Sequence, residues 1–217
     1  MNSNSDEHFD LTPESEPAVA QQVFGSRLDL ARLYFDSLVR DSDELGLLGP
    51  REMPRLWTRH ILNSAVVSEL LVGGEAGADV GSGAGLPGIP LAIVRPDVNF
   101  TLIEPMERRA VWLQKIVDDL KLSNVEVIRS RAEDVHGRRF DVVTARALSA
   151  MPKLLRLTVP LTKSGGRILA LKGGKAAEEI QDSRPLMKKL GIASFELLTT
   201  GATLLAEPTS VVQTRLV

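Results

Sequence analysis

A glycine-rich turn between a buried strand and a helix constrains this chain of 217 residues more than any other feature. Residues 78–88 read ADVGSGAGLPG, which predicts a strand over 78–80, a turn with glycines at alternate positions, and then a helix. Glycine has no Cβ, so it accepts positive φ and lets a ligand approach the backbone closely. The pattern therefore predicts a ligand-binding loop in an α/β sheet.

A carboxylate at the end of the next predicted strand indicates a nucleoside cofactor. Glu104 ends the strand predicted over 100–104 and lies 19 residues beyond Gly85 (104 − 85). An acidic residue about 20 residues after such a loop is typical of proteins that bind the ribose hydroxyls of a nucleoside. NAD(P) and S-adenosylmethionine both carry such a ribose, so the carboxylate alone leaves both cofactors open.

The positions of the glycines favour S-adenosylmethionine. A dinucleotide motif starting at Gly83 would open two residues late, and Pro87 and Pro90 lack the N–H groups that a diphosphate needs. Taken as Gly81, Gly83 and Gly85, the turn begins where the strand stops and presents a neutral surface. That surface suits a cofactor without phosphate. An NAD(P)-dependent oxidoreductase stays the alternative.

Composition narrows the classes of function. The chain has no cysteine, which excludes thiolate zinc sites and thiol nucleophiles, and its three histidines lack metal-ligand spacing. The net charge of −2 gives no overall attraction to nucleic acid, so any RNA contact must come from local basic patches. With no apolar run of about 18 residues and no signal peptide, we expect a cytoplasmic protein without metal or membrane contact.

Alternating strands and helices predict an α/β doubly wound fold. Residues 1–12 predict a disordered tail, 13–73 a helical cap with helices over 14–40 and 54–71, and 74–217 the α/β domain. Two final strands have no room for a helix between them and must form an antiparallel hairpin, the layout of seven-stranded, Rossmann-like S-adenosylmethionine-dependent methyltransferases. The predicted strands are 78–80, 100–104, 125–129, 140–145, 166–171, 195–199 and 210–216; the helices between them are 86–94, 106–120, 150–161 and 176–190.

Ligands of doubly wound sheets bind beyond the carboxyl ends of the strands, which selects further candidate residues. Ala132 and Glu133 follow the third strand and are placed to frame an adenine, although Glu133 also suits a helix start. Arg146 follows the fourth strand, where amino-methylating enzymes carry a hydrogen-bond acceptor. A donor there suits a ring nitrogen such as guanine N7, whose O6/N7 edge arginine matches. A surface ion pair is the alternative for Arg146.

Basic residues provide candidate RNA contacts. Arg51, Arg55 and Arg59 recur every fourth residue, with Trp57 and His60 nearby as stacking groups, although both could equally be structural. Lys172 and Lys175 extend the same edge of the sheet and are placed to meet phosphates; a solvated loop is the alternative. Arg131, which follows the third strand, is a further candidate RNA contact.

Several segments together resemble the RsmG (GidB) family of small-subunit ribosomal RNA methyltransferases. The resembling segments are 57–64, 79–90, Glu104, 131–133, 144–147 and 171–173. The resemblance implies methylation of guanine N7 in the decoding-region loop of 16S rRNA, with the small ribosomal subunit as partner. It implies S-adenosylmethionine contacts for Gly81, Leu86, Ala132, Glu133 and Arg146, and RNA contact near Arg59 and His60.

One residue departs from that family pattern, and two alternatives of function remain. Asn63 stands where the family often has Asp, which puts any charged role there in doubt. A methyltransferase acting on a small molecule would use the helical cap as a lid. An RNA-binding factor without cofactor is disfavoured by the complete set of loop glycines and Glu104. We expect direct in-line methyl transfer, with Arg146 as a positioning residue and no general base.

Overall fold

Seven strands form a single sheet in the computed structural model, which describes residues 11–217. The tail predicted over 1–12 lies, apart from its last two residues, outside that part of the chain. The strands are β1 (Ala76–Val80), β2 (Asn99–Ile103), β3 (Val125–Ile128), β4 (Phe140–Arg146), β5 (Thr162–Leu171), β6 (Ile192–Thr200) and β7 (Thr209–Leu216).

The strand order β3-β2-β1-β4-β5-β7-β6 confirms the predicted fold class. Strands β1 to β5 are parallel, and β7 is antiparallel to both β5 and β6. The order reverses where β1 lies between β2 and β4. Because the chain leaves β1 and β4 in opposite directions along the sheet, a crevice opens beyond their carboxyl ends. This crevice is where a ligand is expected.

The segment before the sheet is helical but interrupted. The prediction that residues 14–40 and 54–71 each form one continuous helix is wrong. The first α-helix ends at Gly25, which has a positive φ of 53°, and the second ends at Gly46, which has the left-handed helical conformation with φ 59°. The elements are α1 (Val19–Phe24), a 3-10 turn (Gly25–Arg27), α2 (Leu28–Leu45), a 3-10 helix (Pro50–Arg55), a π-helix (Leu56–Leu62), α3 (Asn63–Ala65) and a 3-10 helix (Val66–Leu70).

The later helices follow the predicted pattern more closely. The helix predicted over 176–190 is divided by a 3-10 turn (Arg184–Leu186) at Pro185, because proline has no N–H to continue the helical hydrogen bonds. The α-helices are α4 (Gly88–Val94), α5 (Glu107–Asp119), α6 (Met151–Thr158), α7 (Ala176–Ser183) and α8 (Met187–Leu190), with 3-10 turns at Ala132–Asp134 and Val159–Leu161.

The N-terminal helices pack on one face of the sheet. Leu38 of α2, Ile61 of the π-helix and Leu113 of α5 are fully buried in one apolar core that also contains Phe100 of β2. Tyr34, also fully buried, donates its hydroxyl hydrogen to the Ala84 carbonyl at 2.6 Å. Helix α2 therefore covers the sheet and supports the glycine-rich loop directly. The boundary predicted between residues 73 and 74 stays a prediction.

Replacing Tyr34 by Phe should destabilise the protein by about 1–3 kcal/mol, because the buried Ala84 carbonyl loses its partner. Urea unfolding at pH 7 measures this difference. Leu33→Ala is the matched control: Leu33 is the neighbouring residue of α2 and is 52% exposed, so its change should stay within about 0.5 kcal/mol. An unchanged unfolding free energy in Tyr34→Phe would show that the hydroxyl does not support the loop.

Candidate cofactor and substrate site

The glycine-rich loop has the backbone conformation that its sequence predicts. Gly81 and Gly83 have φ of 71° and 55°, values that L side chains rarely adopt. A Cβ on Gly81 would lie 2.6 Å from Cδ1 of Leu148, whereas a Cβ on Gly83 would meet nothing closer than 3.8 Å. Gly85 instead packs into the core, where its Cβ would lie 2.6 Å from Cγ1 of Ile89. Gly83 is therefore the glycine that presents open backbone to a ligand.

Glu104 holds this loop in place. Its Oε2 accepts a hydrogen bond from the Gly83 N–H at 2.9 Å, and its Oε1 accepts one from the Met106 N–H at 2.9 Å. The side chain is buried at the end of β2, beneath the loop. Each carboxylate oxygen has a second acceptor position, so the group retains capacity for the ribose hydroxyls that the sequence assigns to it.

A second carboxylate, Asp79, fixes the point where the strand order reverses, and sequence analysis gave it no role. Asp79 is fully buried in β1; its Oδ1 accepts from the Thr144 hydroxyl at 3.1 Å and its Oδ2 from the Gly88 N–H at 3.2 Å. Burial raises the pKa of Asp79 to about 6. The signal in the sequence that could have identified Asp79 was an acidic residue in an otherwise apolar strand.

A cavity of about 770 Å³ lies between this edge of the sheet and the N-terminal helices. It is the crevice that the strand order predicts, closed on one side by the π-helix. The predicted site residues that line it are Gly81, Gly83, Leu86, Arg59, His60, Arg146 and Lys172. Other lining residues include Leu47, Leu48, Glu52, Asn63, Ala84, Arg109 and Glu207.

Arg146 connects the end of β4 to the π-helix. Its Nη1 donates to the His60 carbonyl at 3.2 Å and to the Ser64 hydroxyl at 3.1 Å. Its Nη2 donates to the Arg59 carbonyl at 3.0 Å and lies 2.7 Å from Nδ1 of His60. Burial lowers the pKa of Arg146 to about 10, so the guanidinium stays charged at neutral pH.

These four contacts correct one prediction for Arg146. The two terminal nitrogens carry four hydrogens, and all four have acceptors within the protein. The bidentate contact with a guanine edge is therefore unavailable in this structure. Among the described residues, the Nε–H is the one guanidinium N–H of Arg146 that has no hydrogen-bond partner.

The π-helix explains why Arg146 finds a free carbonyl. The Asn63 N–H donates to the Thr58 carbonyl, five residues back, and to the His60 carbonyl, three residues back. In an α-helix it would donate to the Arg59 carbonyl, four residues back. The Arg59 carbonyl accepts from Arg146 instead. Irregular helical turns of this kind are frequent at functional sites.

The tautomer of His60 follows from its two neighbours. Arginine is only a donor, so Nδ1 of His60 must accept from Arg146, and the ring hydrogen then lies on Nε2. Nε2 donates to Oε2 of Glu52 at 2.6 Å. Burial, together with the positive charge of Arg146, lowers the pKa of His60 to about 4, so the ring is neutral at pH 7. Burial alone would raise the pKa of Glu52, but hydrogen bonds from His60 and Arg55 outweigh it and lower that pKa.

Lys172 has partners within the protein, and its phosphate contact stays a prediction. Its Nζ donates to Oε2 of Glu179 and to the Ser149 carbonyl, both at 2.8 Å, and its side chain is only 10% exposed. Oε2 of Glu179 also accepts from the Met151 N–H, so Lys172 orders the start of α6 and α7. Arg131 is exposed but lines neither the larger cavity nor a second cavity near Ala132 and Glu133. The structure therefore does not bring it together with the other predicted RNA contacts.

Ala132 and Glu133 lie apart from the larger cavity. They line a second cavity of about 590 Å³ with His136, Arg138 and Arg156. The predicted cofactor set is therefore divided: Gly81, Gly83, Leu86 and Arg146 line one cavity, Ala132 and Glu133 line the other, and Gly85 and Glu104 line neither.

Within residues 11–217, no group of three histidine or carboxylate side chains is arranged to hold a metal ion. In the same part of the chain, no helix has both the length and the apolar character needed to cross a bilayer.

Known proteins resemble this chain over most of its length. Residues 27–203 match the family profile described as "GidB: rRNA small subunit methyltransferase G". The chain is 53% identical to Ribosomal RNA small subunit methyltransferase G of Pseudarthrobacter chlorophenolicus, over 92% of this chain and 93% of that protein. The proteins of the same name from Paenarthrobacter aurescens and Leifsonia xyli are 51% and 50% identical, each over 92% of this chain and over 93% and 96% of their own lengths.

Solved structures share the fold at low identity. M. jannaschii TYW2 in complex with AdoMet superposes with a TM-score of 0.59 at 21% identity, over 74% of this chain and 77% of that chain. A SAM-dependent methyltransferase from Aquifex aeolicus gives a TM-score of 0.54 at 21% identity, over 71% and 89% of the two chains. This likeness supports the methyltransferase fold.

Buried, neutral His60 should make the protein less stable as the pH falls. Between pH 7 and pH 5 the unfolded chain binds a proton at this position, with a pKa of 6.5, whereas the folded chain, with a pKa of about 4, does not. The free energy of unfolding therefore falls by about 2 kcal/mol from this residue. Asp79 has a raised pKa and acts in the opposite direction, so the effect must be measured as a difference between variants.

Urea unfolding of the wild type and His60→Gln at pH 7 and pH 5 isolates this contribution. His60→Gln should lose about 2 kcal/mol less than the wild type over this interval. His136→Gln is the matched control, because His136 is exposed and should leave the pH dependence unchanged. Identical pH dependence in His60→Gln and the wild type would contradict the neutral, buried state of His60.

Proposed function

The chain belongs to the rRNA small subunit methyltransferase G family, and we propose that it methylates N7 of a guanine in the decoding-region loop of 16S rRNA. The family and the fold make it an S-adenosylmethionine-dependent methyltransferase. The proposal places the enzyme in the cytoplasm, with the small ribosomal subunit as its partner. Residues 13–73 form the cap in this proposal, and residues 74–217 form the methyltransferase domain.

The position of Arg146 is the observation that supports N7 as the acceptor atom. It ends β4 and lines the larger cavity, where an enzyme that methylates an exocyclic amine needs an acceptor for the amine proton. Arg146 offers only donors. Guanine N7 has a free lone pair and loses no proton when it is methylated, so a donor at this position is compatible with N7. Glu52, a carboxylate of the same cavity, is already engaged by His60 and Arg55.

The residues of the loop fit the cofactor. Gly83 presents open backbone to the cavity, and Glu104 retains lone pairs beneath it for two ribose hydroxyls. When bound, S-adenosylmethionine supplies a methyl group activated by a positively charged sulfur. Gly81, Gly83, Leu86 and Glu104 would hold it at the carboxyl ends of β1 and β2. In this proposal Ala132 and Glu133 frame the adenine from outside the larger cavity, and Arg131 contacts the RNA.

The chain's own contribution to the reaction is positioning. Arg146 fixes the π-helix, and with it Arg59 and His60, above the edge of the sheet where the methyl group is transferred. Exposed Arg59 is available for the RNA backbone, since its contact with Glu52 is long, at 3.8 Å. Neutral His60 orients Arg146 and transfers no proton. Alignment of two bound reactants accounts for the catalysis without a general base.

The alternatives from the sequence are less well supported. The antiparallel β7 and the family membership both argue against an NAD(P)-dependent oxidoreductase. A methyltransferase for a small molecule would belong to a different family. A binding factor without cofactor would not need the buried carboxylate of Glu104 beneath an open glycine.

Transfer of a labelled methyl group tests the proposal. Small ribosomal subunits and naked 16S rRNA, both from cells lacking the modification, are incubated with enzyme and labelled S-adenosylmethionine, and the nucleosides are then mapped. Label should appear in 7-methylguanosine within the decoding-region loop. Label in another nucleoside, or in no RNA, would contradict the proposed acceptor.

Glu104→Gln serves as the matching loss-of-function variant in that assay. It removes the negative charge that accepts the hydrogen bonds, so kcat/KM should fall about 10- to 100-fold, the equivalent of one charge-assisted hydrogen bond. Glu107→Gln is the control, because Glu107 is exposed on α5 and pairs with Arg129 outside the cavity. Equal activity of the two variants would remove Glu104 from the site.

A further inference from the structure

Arg109 is a cation of the larger cavity that has no anionic partner among the described residues. It lies on α5, five residues after Glu104, and lines the cavity beside the glycine-rich loop. Its Nη2 donates to the Gly46 carbonyl at 2.6 Å, in the connection that follows α2. Its Nε is buried and has no hydrogen-bond partner. No role for Arg109 was predicted from the sequence.

Two of the three other cations of the cavity already have close acceptors. Arg146 is bound by four protein atoms and Lys172 pairs with Glu179, whereas the exposed Arg59 has only a long contact with Glu52, at 3.8 Å. Arg109 has one neutral carbonyl instead. A guanidinium that is held in position but lacks a carboxylate is suited to receive an anion from a ligand.

The position of Arg109 indicates which anion it binds. Its Nη1 lies 4.0 Å from the point that a Cβ on Gly83 would occupy, so it flanks the one loop glycine that faces open space. The contact with Gly46 holds the guanidinium against the loop instead of letting it extend toward solvent. A group that lies along Gly81 and Gly83 therefore passes directly beside it.

The cofactor carries one such anion, the carboxylate of its amino-acid part. A carboxylate that leaves water for a partly buried cavity requires a counter-charge, and arginine can bind it through two N–H groups. We propose that Arg109 binds the carboxylate of S-adenosylmethionine, so that Glu104 holds the ribose and Arg109 holds the amino-acid end, both next to Gly83. The inference rests on the proposed placement of the cofactor on the loop and is independent of the RNA base that is methylated.

Calorimetry with two ligands tests this role without any RNA. The ligands are S-adenosylhomocysteine and its decarboxylated analogue, S-adenosyl-3-thiopropylamine, which lacks only the carboxylate. The proteins are the wild type, Arg109→Gln and Arg108→Gln. Arg108 is the matched control: it is the neighbouring exposed arginine of α5, its replacement changes the charge equally, and it does not line the cavity.

Arg109→Gln should bind S-adenosylhomocysteine about 10- to 100-fold more weakly than the wild type, the equivalent of one charge-assisted hydrogen bond. It should bind the decarboxylated analogue as the wild type does, within about twofold. Arg108→Gln should match the wild type with both ligands. Arg109→Lys keeps the charge and should retain part of the preference for the carboxylate, even if Arg109→Gln folds poorly.

Two results would overturn the inference. An equal loss of affinity for both ligands in Arg109→Gln would mean that Arg109 only supports the loop. Unchanged affinity for both ligands, including the case in which KM for ribosomal subunits rises, would assign Arg109 to the RNA or to the fold instead. Failure of the wild type to bind S-adenosylhomocysteine at all would contradict the placement of the cofactor itself, which separates the two claims.

Discussion

The contact between Arg146 and the π-helix is the interaction on which the rest of the site depends. A buried guanidinium is costly unless its N–H groups find acceptors, and here four acceptors on or next to the π-helix satisfy the two terminal nitrogens. The same contact joins residues 86 positions apart and holds the N-terminal helices over the carboxyl end of β4. Together with the apolar core beneath the π-helix, this contact holds the cavity wall that carries Glu52, Arg59 and His60.

Two buried carboxylates hold the glycine-rich loop and its neighbouring segments in place. Asp79 joins β1 to β4 and to the start of α4, and Glu104 joins the loop to the segment that begins α5. Each uses backbone N–H groups that a loop would otherwise leave without partners. The loop is therefore preorganised, and a ligand does not have to order it. Tyr34 adds a support from α2, so the N-terminal helices contact both sides of the cavity.

The sheet was predictable because its signals are local. Three local signals predict the number of strands, which of them are parallel or antiparallel, and the edge of the sheet that binds ligand. These signals are the short apolar runs, the glycine-rich turn and the missing helix between β6 and β7. The helix interruptions at Gly25 and Pro185 carried a visible signal in their residue types. The π-helix carried none, because the Arg59 carbonyl that its irregular turn leaves open is satisfied by Arg146, a residue distant in sequence.

The candidate site was predicted in position but only partly in detail. The rule that ligands bind beyond the strand ends gives the correct edge, yet it does not say where a side chain points. Lys172 turns to Glu179 of α7, and Ala132 and Glu133 face the second cavity, which Arg156 and Leu157 of α6 also line. The role of Arg109 was missed because the apolar face of its helix indicates only packing in the core. Arg109 lies on the margin of that face and reaches the cavity.

A crystal structure with bound S-adenosylhomocysteine would show where the cofactor lies. We expect the ligand in the larger cavity, with its ribose hydroxyls on Glu104 and its sulfur over Gly81 and Gly83, beside an unmoved Arg146. A ligand bound in the second cavity, or a π-helix released from Arg146 in the complex, would contradict this expectation.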